Sequence, residues 1–122
     1  MNGWIAASGI LAAASAAGHA IAGRTMFLQP IRTRLADPVH DSVVLGMWHF
    51  ITAQFALSSL ALLCCAYGNR TDLAVGLIAA QFAAYAAINL ILSLRLGNVV
   101  KFAQWILFTA VAVLAALGLI LG

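Results

Sequence analysis

The stretch SVVLGMWHFITAQFALSSLALLCCAY, residues 42–67, contains no Asp, Glu, Lys or Arg. Crossing the hydrocarbon core of a bilayer, about 30 Å thick, takes roughly 20 helical residues, so this stretch is long enough to span a membrane. The dipeptide Asp37-Pro38 marks an earlier helix start, because Asp is a favoured N-cap and Pro fits the first helical position. The sequence therefore predicts a membrane helix over residues 37–67.

Three further apolar stretches have the length of a membrane span. They predict helices over residues 3–28, 72–95 and 99–121. Pro30 is expected to end the first helix, because proline lacks the N–H that a helix interior needs. No Lys or Arg precedes Arg24, whereas a cleaved signal peptide normally opens with one, so we expect the first segment to be retained.

Short connections set the expected fold. Gly68-Asn69 and Gly97-Asn98 are helix stop signals, and a tight turn places the two flanking helices side by side in opposite directions. The sequence therefore predicts an all-α integral membrane protein, an antiparallel four-transmembrane-helix bundle in a single domain over residues 1–122.

The composition supports a lipid-facing surface. Of 122 residues, 65% are hydrophobic and 7% are charged, and the mean hydropathy is +1.06, whereas soluble domains carry about 25% charged residues. The formal net charge of +3 comes from basic residues between apolar stretches. Such residues report membrane orientation, so we expect membrane lipid and no nucleic acid as a partner.

Basic residues also predict the topology. Five lie in the first and third connections or at their edges, and only Arg70 lies in the second. Basic connections stay cytoplasmic, so both termini are expected on the non-cytoplasmic side of a cell (inner) membrane. The five residues are Arg24, Arg32, Arg34, Arg95 and Lys101.

Two histidines lie within apolar segments. His19 shares its helical face with small or weakly polar residues such as Ser15 and Ala22, and His49 shares its face with Thr52. Ionisable residues inside a membrane usually face the protein interior and serve a function. We therefore expect both imidazoles to face the interior of the bundle.

Other polar residues are expected to join the histidines in the cytoplasmic half. Three of them lie at four-residue spacing on one stripe of the third helix, and the fourth helix adds an amide. Polar side chains can also hydrogen-bond across helices simply to fix packing, which is the alternative role for the stripe. The predicted ligand-binding set is His19, His49, Arg24, Asn89, Gln104, Tyr85, Gln81 and Arg95.

This set favours a binding protein over an enzyme. Basic residues at the mouth of the site would attract an anion, so we expect a small polar or anionic ligand or a lipid headgroup. The chain would act as a transporter or an accessory subunit, as a homo-oligomer or within a larger membrane complex. The sequence has no HExxH, nucleophile elbow, phosphate-binding glycine loop or carboxylate pair, so an enzyme is not expected.

Two alternatives remain open. His19 and His49 on neighbouring helices could be the axial ligands of a haem b in an electron-transfer subunit. The vicinal Cys64-Cys65 pair resembles that of the bacterial mercury transport proteins and implies soft-metal handling, although the further cysteines of that family are absent from this sequence. In size and helix count the chain also resembles the small multidrug resistance transporters, but the first helix has no glutamate.

Overall fold

A computed structural model describes residues 1–68, 71–97 and 104–122. The described part is helical and contains no strand, which confirms the predicted all-α class. Four of its helices are long and apolar enough to cross a membrane. They are Gly3–Arg32, Pro38–Tyr67, Asp72–Arg95 and Gln104–Leu121.

The first of these helices is composite. It consists of α1 (Gly3–Gly18), a π-helical segment (His19–Leu28) and the short α2 (Gln29–Arg32). The N–H of Gln29 donates to the carbonyl of Arg24, five residues back, as π geometry requires. The prediction that Pro30 ends this helix is wrong. Pro30 lies in the first turn of α2, directly after the π-helical segment, and the helix continues to Arg32.

The other helices begin and end largely where local signals predict. In α3 (Pro38–Tyr67), the Asp37 side chain accepts a hydrogen bond from the Val39 N–H at 2.8 Å, which confirms the predicted N-cap. After α4 (Asp72–Arg95), Gly97 adopts a positive φ of 65°, which favours glycine. Helix α5 is described over Gln104–Leu121. Asn69, Arg70, Asn98, Lys101 and the predicted helix start at residues 99–103 lie outside the described residues.

The helices do not contact one another equally. Helix α1 packs along both α3 and α5, and α4 packs along α5, whereas α3 and α4 make few contacts. The prediction that the turn at Gly68-Asn69 places α3 and α4 side by side is therefore wrong, because both helices pack mainly against α1 or α5 instead. Three buried phenylalanines from different helices meet at the centre, with Tyr85 beside them. Ring centroids in this cluster lie 5.3–6.0 Å apart, the separation at which aromatic rings attract one another. The phenylalanines are Phe55, Phe82 and Phe108.

Buried hydroxyl groups connect α1 to its neighbours. The Ser8 hydroxyl donates to the carbonyl of Val111 at 2.7 Å, and the Ser59 hydroxyl donates to the carbonyl of Gly9 at 2.8 Å. Gly9 is needed for this close approach, because a Cβ there would lie 2.9 Å from Leu63 Cγ. Small residues thus let the backbones approach while hydroxyl groups bond across the interface.

Asn2 joins the ends of three helices. Its Oδ1 accepts hydrogen bonds from the N–H groups of Trp4 and Ile5 and so caps α1. Its Nδ2 donates to the carbonyl of Gly118 at 2.8 Å, and its backbone N–H donates to the carbonyl of Ala66 at 3.0 Å. The N-terminus of α1 is therefore fixed to the C-terminal ends of α3 and α5.

Candidate interior binding site

Two adjoining cavities, both partly open to the surface of the bundle, lie where the helices converge. The first, of about 310 Å³, lies between the first helix and α5 and reaches Phe55 of α3. The second, of about 250 Å³, is lined by Trp48 of α3 and Asn89 of α4 together with residues of the first helix and α5. Three residues line both cavities, namely His19, Phe27 and Gln104. The imidazole of His19 therefore lies at a wall that the two cavities share.

Residues of α3 fix the orientation of the His19 ring. Its Nδ1 lies 2.8 Å from Oγ1 of Thr52. The ring stacks on Trp48 with a centroid separation of 3.9 Å and an interplanar angle of 21°, and it meets Phe55 edge-on at 5.7 Å. Positions 48, 52 and 55 are spaced by four and three residues, so they lie on one helical face. Three side chains of one helix thus hold the imidazole.

Gly23 in the π-helical segment makes room for Trp48. A Cβ at this buried glycine would lie 2.9 Å from the Trp48 atoms Cη2 and Cζ2, closer than side chains tolerate. A side chain at position 23 would therefore force the indole to shift from the place where it stacks on His19. Gly23 and His19 are four residues apart, on the same side of the segment.

Two other predicted residues lie beside His19. Asn89 lines the second cavity, and its Nδ2 donates to the carbonyl of Tyr85 at 2.9 Å on its own helix. Gln104, at the described start of α5, lines both cavities. The structure thus brings together one imidazole and two amides from three helices. Each can exchange hydrogen bonds with a molecule in the cavities.

Tyr85 and Gln81 lie elsewhere. Tyr85 belongs to the central aromatic cluster and lines neither cavity. Gln81 accepts a hydrogen bond from Gln54 at 3.0 Å and donates to Ser58 at 3.4 Å, so it joins α4 to α3 where these helices make few other contacts. The placement of Gln81 is consistent with the alternative role, in which polar side chains hydrogen-bond across helices, whereas Tyr85 packs among aromatic rings.

The arginines lie outside the cavities. Arg24 and Arg95 are exposed and line neither one. Arg32 forms a bidentate ion pair with Asp41, with both N–O distances at 2.6 Å, which ties the end of the first helix to the start of α3. Within the described ranges, the residues that line the two cavities include no charged side chain.

His49 does not face the interior as expected. Its side chain is exposed, and it lines neither cavity. Successive helical residues are rotated by about 100°, so an inward Trp48 turns the next residue away from the cavities. Thr52, expected on the face of His49, contacts His19 instead. The two imidazoles therefore do not line a common cavity in the described part of the chain, and neither cavity presents both of them to a haem.

Few side chains in the described part of the chain are placed to bind a soft metal ion. Cys64 is exposed and Cys65 is buried, because consecutive helical residues point in different directions. Over residues 1–68, 71–97 and 104–122, no group of three or more His, Cys, Asp or Glu side chains is placed to hold a metal ion.

Comparisons with protein-family models, curated proteins and solved structures find no match. The residues that define the site therefore come from its geometry. Sequence reasoning did not select Trp48 or Phe27. Trp48, Thr52 and Phe55 are spaced in the sequence as residues on one helical face. This spacing identifies a site only when the rotation of α3 about its axis is known.

Proposed function

We propose that the protein is a multi-pass membrane protein that binds a small amphipathic molecule at the shared wall of the two cavities. It would serve as a transporter or as an accessory subunit of a membrane complex. One observation carries the proposal. The His19 imidazole, held by Thr52 and Trp48, lies between two adjoining cavities that the described parts of all four long helices help to line.

The outer surface supports membrane insertion. Large apolar side chains such as Ile21 and Phe50 are 73% and 75% exposed, which is costly in water but favourable in lipid. Contacts between the helices favour an antiparallel arrangement, because residue numbers rise along α1 as they fall along its partner. The pairs on the α3 side are Asn2 with Ala66 and Gly9 with Ser59, and on the α5 side Asn2 with Gly118 and Ser8 with Val111.

Basic residues support an orientation with both termini outside the cytoplasm. Arg24, Arg32 and Arg34 lie near the end of the first helix, and Arg95 ends α4. In an antiparallel bundle these positions fall on one side of the bilayer. The positive-inside rule then assigns that side to the cytoplasm of a cell (inner) membrane.

The lining defines the kind of ligand. Small-molecule sites are mostly apolar with a few placed polar groups, and their volumes start near 300 Å³. Here Phe27, Phe55 and Phe108 supply aromatic surface, and His19 and Gln104 supply hydrogen-bonding groups. Because the described cavity walls carry no charged side chain, a neutral polar group suits the site better than the anion expected from the sequence.

Exposed polar groups on α3 favour a protein partner. His49 is exposed on a helix proposed to cross the membrane, and so is Gln54, although its amide already donates one hydrogen bond to Gln81. Polar side chains that face lipid are costly, whereas a neighbouring chain can hydrogen-bond to them. A homo-oligomer or a larger host complex is therefore proposed over an isolated chain.

Equilibrium dialysis of 4-propylphenol into lipid nanodiscs tests the binding site, with empty nanodiscs as the baseline. Gly18→Leu extends a side chain from the lining of the first cavity, and Gly46→Leu is the matched control. A Cβ meets no atom within 4 Å at either glycine, but Gly46 lines neither cavity. We expect saturable binding to the wild type and to Gly46→Leu, and its loss in Gly18→Leu. No saturable binding to the wild type, or unchanged binding to Gly18→Leu, would reject the proposal.

A further inference from the structure

The hydroxyl of Thr52 has two partners. Its Oγ1 lies 3.0 Å from the carbonyl oxygen of Trp48 and 2.8 Å from Nδ1 of His19. A hydroxyl carries one hydrogen, and a carbonyl oxygen can only accept. We assign the Thr52 hydrogen to the Trp48 carbonyl, the i−4 bond that a threonine within a helix commonly makes, which leaves Oγ1 as the acceptor for His19.

This assignment fixes the proton on His19. If Oγ1 accepts, Nδ1 must be the protonated nitrogen of the imidazole. A neutral imidazole carries only one N–H, so Nε2 is then an acceptor with a free lone pair. The hydrogen-bond network thus selects one tautomer, while the stacked indole of Trp48 and the edge of Phe55 hold the plane of the ring.

We propose that Thr52 is a positioning residue that presents Nε2 of His19 as a hydrogen-bond acceptor, so that the site selects neutral aromatic alcohols. This inference rests on the proposed function and names its ligand class. Aromatic side chains of both cavities, Phe27 and Trp48 among them, match an aromatic ring. A hydroxyl group on that ring would donate a hydrogen bond to Nε2.

The selectivity follows from the cost of an unmade hydrogen bond. A ligand without a donor displaces water from Nε2 and leaves that acceptor unpaired, whereas an alcohol satisfies it. A site built around a ligand hydroxyl therefore rejects an analogue that lacks one. A net hydrogen bond of about 1 kcal/mol corresponds to roughly a fivefold preference.

Nitrogen-15 NMR of histidine-labelled protein in nanodiscs tests the tautomer directly. At about pH 8 an ordinary histidine is neutral, and His19→Gln identifies the His19 signals among those of the three histidines. We expect a protonated Nδ1 and an unprotonated Nε2 in the wild type and in Thr52→Ser, which keeps the hydroxyl. Thr52→Val should shift the proton toward Nε2. A protonated Nε2 in the wild type would overturn the inference, as would an unchanged tautomer in Thr52→Val.

Binding of 4-propylphenol and of its methyl ether, 4-propylanisole, tests the ligand class. We expect the wild type and Thr52→Ser to bind the phenol roughly fivefold more tightly than the ether, and Thr52→Val to lose most of that preference. Equal binding of the two probes to the wild type rejects the inference but leaves the proposed function standing. Absence of binding by either probe rejects both.

Discussion

Gly23 lies directly against the indole of Trp48, so closely that a Cβ at position 23 would come within 2.9 Å of two ring atoms. The same indole stacks on His19 at a centroid separation of 3.9 Å. A glycine in the π-helical segment therefore sets the position of a ring that in turn orients the central imidazole. The candidate site therefore depends on the close approach of the Gly23 backbone to Trp48 as well as on its polar side chains.

Gly23→Ala should destabilise the protein and displace Trp48. Overpacking of this kind costs about 1–3 kcal/mol in the free energy of unfolding. Reversible denaturant unfolding in detergent measures the stability, and tryptophan fluorescence reports the indole environment. Gly18→Ala is the control, because a Cβ there meets no atom within 4 Å. Equal stability of the two variants would contradict the proposed contact.

Gly118→Ala should weaken the contact between α1 and α5. A Cβ at position 118 would run into the Cγ1 of Ile5 and approach the Ile5 backbone nitrogen to 3.2 Å, so a side-chain rotation alone cannot relieve the crowding. We expect a loss of about 1–3 kcal/mol in unfolding free energy. Gly76→Ala, whose Cβ would make only an ordinary contact at 3.8 Å, should change stability much less. A larger loss in Gly76→Ala would show that this helix contact is wrongly placed.

Ser8→Ala should cost more than Thr109→Val. The Ser8 hydroxyl is buried and donates to Val111 of another helix, whereas the exposed Thr109 hydroxyl bonds within its own helix to Trp105. An interhelical hydrogen bond in a membrane protein contributes about 0.6–2 kcal/mol. Unfolding in detergent should show a loss in that range for Ser8→Ala and little change for Thr109→Val. The reverse order would be evidence against the α1–α5 pairing.

Both termini should lie outside the cytoplasm. Alkaline phosphatase fused after Gly122 in a bacterial host should be active, and green fluorescent protein at the same position should be dark. Fusions after Arg34, in the first connection, should give the opposite pattern. Adding lysines near Asn2 should reduce the phosphatase signal, because orientation follows the distribution of basic residues. If the C-terminal fusion of the unmodified chain is fluorescent, the proposed orientation of the termini is wrong.

The sequence alone determined the helices and several of their ends. Four apolar stretches of sufficient length, the Asp37 cap and the Gly97 stop are local features, because each depends on a few neighbouring residues. It also placed His19, Asn89 and Gln104 in one region, since counting residues along helices gives their depth in the bundle.

Only the tertiary structure decided which way the side chains point. Membrane helices are apolar on most of their surface, so hydrophobic periodicity does not fix the rotation of α3 about its axis. That rotation turned Thr52 toward His19 and His49 outward. The pairing of Arg32 with Asp41 also depends on how the first helix and α3 are placed relative to each other. Such choices are made by packing between helices, which no single segment encodes.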